Sequence, residues 1–101
     1  MQLPAYINWT PLAESQAGEI HQYIAADNSA SADRQLHRVL ESIQGLSLFL
    51  EKGRTGRVSG TRELVVPGTP YIFVYRLKAA GIQILSILHG ARRWPAQFPQ
   101  G

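Results

Sequence analysis

Residues 86–95 read SILHGARRWP, so that His89, Arg92, Arg93 and Trp94 fall within a single short stretch. An imidazole such as that of His89 can accept a proton, while guanidinium groups stabilise developing negative charge. Together these are ingredients for attack of a ribose 2′-OH on a phosphodiester. The same residues also suit a contact with a protein surface, or the polar end of a strand. Lys52, Arg54, Arg57, Arg62, Arg76 and Lys78 extend the basic character, because beyond residue 50 the only acids are Glu51 and Glu63. With Tyr71, Tyr75 and Trp94 nearby in sequence, this set could grip phosphates and stack on bases, or bind an acidic protein segment. Tyr71 and Tyr75 at strand spacing equally suit a core.

Other chemistries find no support. The 101-residue chain has no cysteine, which removes thiol nucleophiles, disulfides and thiolate metal sites. His21, His37 and His89 stand far apart, without a second ligand at metal-binding spacing, and His21 and His37 read as surface residues of helices. No glycine-rich phosphate loop, Ser-His-Asp set or carboxylate pair occurs, so neither a metal nor a cofactor is expected. The start, MQLPAYINWT, lacks a basic then apolar leader, and no run approaches the roughly 18 apolar residues of a membrane span. A cytoplasmic protein with no membrane partner is expected, folded as one domain over residues 1–101 with a loose tail at 96–101.

The elements that position these residues follow from periodicity. AYINW (5–9) alternates and predicts a first strand. Thr10-Pro11 then reads as an N-cap and first helical position, followed by the stripe Leu12, Ala13, Ala17, Ile20, Tyr23 and Ile24, which ends near Asp27-Asn28. Ser29 caps a second helix with Ala32, Leu36, Val39, Leu40, Ile43, Leu46 and Leu50 on one stripe. The short link makes the pair an antiparallel hairpin. EKGRTGRVSG (51–60) has no period and reads as a loop, whose Lys52, Arg54 and Arg57 are expected to serve binding with little part in folding.

After the loop the period becomes two. TRELVV, the turn PGTP, YIFVYRL, the turn KAAG and IQILSILH predict a three-stranded antiparallel meander. Pairing Leu77 with Ile82 sets Tyr75 against Ile84, Phe73 against Ser86 and Tyr71 against Leu88. The other face then carries Val74 against Leu85, Ile72 against Ile87 and Arg76 against Gln83. Both faces are apolar. One helical hairpin covers one face, so the other is expected to be covered by the C-terminal tail or by another chain.

The fold class is therefore α+β, a helical hairpin on a mainly antiparallel sheet in the order β-α-α-β-β-β. With Tyr23-Ile24, GTREL (60–64), PYIxxYR (70–76) and ILHGARRWP (87–95) in this order, the chain resembles the RelE/ParE family of toxins from bacterial type II toxin–antitoxin systems across residues 6–95. The resemblance implies neutralisation by a cognate antitoxin with an acidic segment, and one of two activities. The RelE branch cleaves mRNA on the ribosome, for which His89, Arg92, Arg93 and Arg62 would be the catalytic candidates. The ParE branch inhibits DNA gyrase. Arg92 matches a basic position that the nuclease branch uses, but Ile72 stands where that branch is basic and no tyrosine follows Tyr75. This leans the chain to the ParE branch, as a growth-inhibiting, plasmid-stabilising toxin with Lys52, Arg54, Arg57, Arg76, Arg92 and Trp94 contacting target or antitoxin. A bare interaction module without toxicity is the remaining alternative.

Overall fold

The computed structural model describes residues 6–27, 29–79 and 81–90. In chain order the elements are β1 (Tyr6–Trp9), α1 (Pro11–Ala25), α2 (Ala30–Leu48), β2 (Arg54–Thr55), β3 (Arg62–Val65), β4 (Tyr71–Lys78) and β5 (Gly81–His89). The strands form one sheet in the order β1-β5-β4-β3-β2. β1 runs parallel to β5 and every other neighbouring pair is antiparallel. This is the expected α+β order with one addition, since the 51–60 segment is not all loop: Arg54 and Thr55 pair with Glu63 and Arg62 as a two-residue edge strand.

Both helices start at the expected caps. Thr10 Oγ1 accepts from Ala13 N at 3.1 Å, and Ser29 Oγ accepts from Ala32 N at 3.1 Å, each satisfying a first-turn donor. Thr10 also ties α1 to the sheet. Its N–H donates to Ile84 O at 3.1 Å and its hydroxyl to Leu85 O at 3.0 Å, continuing the β1–β5 contact past the end of β1. Gly81 permits that pairing, because a Cβ there would fall onto the Tyr6 backbone. At the β3–β4 connection, Thr69 N donates to Val66 O at 3.2 Å across Pro67-Gly68, and Gly68 has φ 74°, the conformation a type II turn demands of its third residue.

The core lies between helices and sheet and gathers Ala13, Ile24, Ala32, Leu46, Leu64, Val66, Tyr71, Phe73, Tyr75, Ile82, Ile84 and Ile87. Trp9 meets Phe73 edge to face at 6.4 Å. Three members of the expected helical stripes do not join it: Leu12, Tyr23 and Leu40 are exposed. The stripe is wider in the sequence than the surface the sheet offers to it, so its flanks stay in solvent.

The β4–β5 register departs from simple arithmetic at one point. Leu77↔Ile82, Arg76↔Gln83 and Tyr75↔Ile84 pair as expected, but Val74 then faces Ser86 in place of Leu85. Leu85 is the extra residue of a β-bulge, and every later pair shifts by one: Phe73↔Ile87, Ile72↔Leu88 and Tyr71↔His89. Because strand side chains alternate, the shift moves Ile87 and His89 onto the face of Phe73 and Tyr71, under the helices.

Two polar anchors fix the segment between α2 and β3. The Tyr75 hydroxyl, fully buried, accepts from Gly53 N at 2.9 Å and donates to Leu50 O at 2.8 Å. Burial raises the phenol's pKa, which keeps it a neutral donor. The second anchor is Glu63, whose side chain is 2% exposed. Its Oε2 accepts from Arg57 N at 2.7 Å and Arg57 Nε at 3.3 Å, and its Oε1 from Arg54 Nη2 at 3.0 Å. Arg54 and Arg57 are thus structural ligands of a buried carboxylate, contrary to the expectation that they have little part in folding. Burial pushes the Glu63 carboxyl up, but the Arg57 N–H and the two guanidinium groups outweigh it and hold its pKa below the ordinary 4.5.

Tyr75→Phe should therefore lower stability by about 1–3 kcal/mol, the usual cost of leaving buried amide groups unpaired. Urea unfolding should show a lower midpoint with an unchanged slope. For Glu63 the depressed pKa means that its stabilisation is complete above pH 4.5 and is lost as pH falls through the lower folded value. Glu63→Gln should be less stable than wild type at pH 7 and should lose less stability on acidification from pH 5 to 3. Parallel acid profiles for the two proteins would assign the acid sensitivity to other carboxylates.

Candidate functional site

His89 ends β5, half-buried, with its ring edge-on to Tyr71 at 6.3 Å between centroids. It lines a groove of about 560 Å³ with Gln16, Glu19, Tyr23, Gln35 and Pro70, between α1 and the sheet end. Gln16 closes this side of the sheet. Its Oε1 accepts from Ile87 N and from Ser86 Oγ, both at 2.8 Å, so the helix supplies the edge partner that the four-residue β1 is too short to provide. Sequence reasoning passed over Gln16. A glutamine at the margin of an apolar stripe carries no mark of the strand edge it will meet.

The groove continues along α1 into an apolar cavity of about 360 Å³ between the helices and the sheet, lined by Trp9, Ile20, Ile24, Leu36, Val39 and Phe73 among others. Leu40 also borders it at 51% exposure, and Tyr23, 77% exposed, borders the adjoining groove. An apolar channel flanked by exposed apolar residues is the form that receives an amphipathic segment.

The remaining candidates are scattered over the fold. Lys52 is exposed at the start of the β2 segment. Arg54 and Arg57 converge on Glu63, which as the register partner of Val74 lies on the sheet face away from the helices. Arg76 shares that face, its Nε donating to Gln83 Oε1 at 2.7 Å. Arg62 lies on the helix side as partner of Tyr75, and its Nη1 donates to Gly53 O at 2.9 Å. From strand rise and spacing, the Arg62 and His89 backbones stand about 16 Å apart, four residues along and two strands across. These two nuclease candidates are not brought together. Arg92, Arg93 and Trp94 lie outside the described residues, as does the tail at 96–101. His21 and His37 are exposed, His37 meeting Glu41 at 2.7 Å one helical turn on. Among the described residues no group of three His, Cys, Asp or Glu could hold a metal ion, and no helix is long and apolar enough to cross a membrane.

Comparison with known proteins agrees with this architecture. The family described as "ParE toxin of type II toxin-antitoxin system, parDE" matches residues 7–94. A relative named "Putative toxin Y4kP", from Sinorhizobium fredii (strain NBRC 101917 / NGR234), is 36% identical over 89 residues, covering 88% of this chain and 92% of that protein. Among solved structures, a chain of the "Chromosomal ParDE TA system from P. aeruginosa" superposes with a TM-score of 0.66 at 24% identity, over 82% of this chain and 92% of that one, and so shares the fold. A match that runs from β1 to beyond the end of β5 leaves no element unaccounted for: the chain belongs to the ParE toxin family of type II toxin–antitoxin systems.

Proposed function

We propose that the protein inhibits growth by acting on DNA gyrase, and that a cognate antitoxin neutralises it in the cytoplasm. The observation that carries gyrase over the ribosome is the separation of His89 from Arg62. Cleavage of a phosphodiester needs a proton acceptor and charge stabilisation at one phosphate, within hydrogen-bond reach of the reacting atoms. Two strands and about 13 Å of strand length put Arg62 out of register with His89, and its guanidinium is engaged at Gly53 O. A protein target makes no such demand. It needs a rigid surface with polar and aromatic groups, which half-buried His89 and exposed Tyr23 supply in the groove at this end of the sheet.

For the antitoxin, the apolar channel between helices and sheet is the docking site that fits best. An amphipathic segment laid along α1 would fill the cavity beside Ile20, Val39 and Leu40 with its apolar face.

Expressed without antitoxin, the toxin should trigger DNA-damage signalling before translation falls, and purified protein should inhibit gyrase supercoiling. Amino-acid incorporation that collapses first, with supercoiling unaffected, would turn the assignment to the ribosome. Arg92→Ala should abolish growth inhibition while the protein stays folded by circular dichroism. Full toxicity in that variant would remove the residues after β5 from the target contact. Leu40→Asp, at an exposed helix position, should leave the melting temperature within a few degrees of wild type and weaken antitoxin binding by at least about tenfold, measured by calorimetry. Unchanged affinity would place the antitoxin elsewhere.

A further inference from the structure

Strand β3 is paired on both sides for only half its length. Val66 N donates to Tyr71 O at 3.0 Å, so Val66 and Tyr71 are a hydrogen-bonded pair, and the alternation of an antiparallel ladder turns the N–H and C=O of Val65 away from β4. They face the outer edge, while the Val65 side chain points to the second face of the sheet, away from the helices. At that edge β2 meets Arg62 and Glu63 alone. Gly53, which precedes β2, gives its N–H to the Tyr75 hydroxyl at 2.9 Å, and Lys52 N donates to Phe49 O at 3.0 Å, so this chain turns off before it could run alongside Val65. Among the described residues none bonds to the Val65 amide or carbonyl.

A groove of about 780 Å³ flanks this edge, with α2 on one side and Lys52 and Pro67 on the other. Continued by two residues, the Arg54↔Glu63 register would set Lys52 opposite Val65. The helical wall is basic next to the sheet. Arg34, Arg38, Ser42 and Gly45 follow at helical spacing; Ser42 is buried, Arg38 Nη1 donates to Pro67 O at 3.2 Å, and Lys52 Nζ lies 3.4 Å from where a Cβ on Gly45 would sit. A Cβ on Gly68 would fall onto the Arg38 guanidinium, so the turn glycine also makes room for this cation. The acids of the groove lie further out: Glu41 meets His37 at 2.7 Å, and Asp33 is further round the helix in its first turn.

We propose that an extended, acidic segment of a partner protein binds here as an added strand, its backbone pairing with Val65 and its carboxylates meeting Arg34, Arg38 and Lys52. Alternate residues of a strand stand about 6.7 Å apart and four helical residues rise about 6 Å, so successive carboxylates keep step with Arg34 and Arg38. Charge selects the occupant. A second copy of this chain would bring the same three cations to the contact, and like charges set face to face oppose it. A nucleic acid would satisfy the guanidinium groups but offers Val65 no peptide ladder. Because Pro67 has no N–H and its C=O is held by Arg38, backbone pairing is confined to Val65, and binding depends on the charges. Leu40, which borders the helix-side channel, stands on nearly the opposite side of α2 from Arg38, so this surface is separate from the one assigned to the antitoxin.

The test titrates the isotope-labelled full chain with a blocked heptapeptide of alternating glutamate and valine. The Val65 amide should exchange rapidly in the free protein, and its exchange should slow by at least about tenfold at saturating peptide. Affinity should fall by at least about tenfold between about 20 and about 300 mM salt. Arg34→Glu/Lys52→Glu, at two exposed positions, should keep the circular dichroism of wild type and weaken the peptide by at least about tenfold. A peptide with lysine for glutamate should not bind, and one with proline for valine should not protect Val65. Unchanged Val65 exchange, or equal protection by either control peptide, would overturn the proposal. So would shifts confined to Ile20 and Val39, which place the peptide in the channel, protection of Val65 that rises with protein concentration alone, which assigns the edge to a second copy, or tighter binding of oligothymidylate at the same cations without protection of Val65, which assigns them to nucleic acid.

Discussion

Strand β5 must find hydrogen-bond partners along its whole outer edge, and β1 reaches only its first four residues, from Gly81 to Ile84. An unpaired buried amide is expensive, so the rest of that edge has to be met by something else. Thr10 and Gln16, at the start of α1 and a turn and a half into it, take Ile84 O, Leu85 O and Ile87 N. This constraint sets the azimuth of α1. Once α1 is held against the β5 edge, Ala13 and Ile24 are buried, Tyr23 faces outward, and the channel between α1, α2 and the sheet takes its shape.

The bulge at Leu85 works with the same contact. It turns the second half of β5 over by one position, so that Ile87 packs in the core and His89 meets Tyr71 beside α1. Without it His89 would oppose Pro70 and project to the other face. A local irregularity in one strand thus decides on which side of the sheet the chain presents its one strand-end histidine.

On the distal side of the sheet, electrostatics does the corresponding work. Glu63 is buried among the residues of the second face, and the carboxylate stays ionised because Arg54 and Arg57 fold over it. Both guanidinium groups converge on the one carboxylate in fixed geometry, each still about half exposed. The basic segment is therefore both a structural clamp and a charged surface, and substitutions there report on folding as well as on binding.

Much of this was legible in the sequence where local chemistry is decisive. Thr10-Pro11 and Ser29 cap the helices because a hydroxyl at that position satisfies a first-turn amide, and Pro67-Gly68 turns because proline and glycine preset the required dihedrals. The change of period from 3.6 to two separates hairpin from meander, and the order of motifs pointed to the toxin family. Pairing depended on the tertiary structure. Nothing in YINW names β5 as its parallel partner, no residue type marks Leu85 as the extra one, and Arg54-Thr55 is too short to show a period. These features arise from contacts between residues far apart in the chain, such as Gln16 with Ile87 and Glu63 with Arg54. Side-chain periodicity tells which face a residue shares with its own neighbours, whereas register and edge closure are fixed only when the whole sheet is assembled.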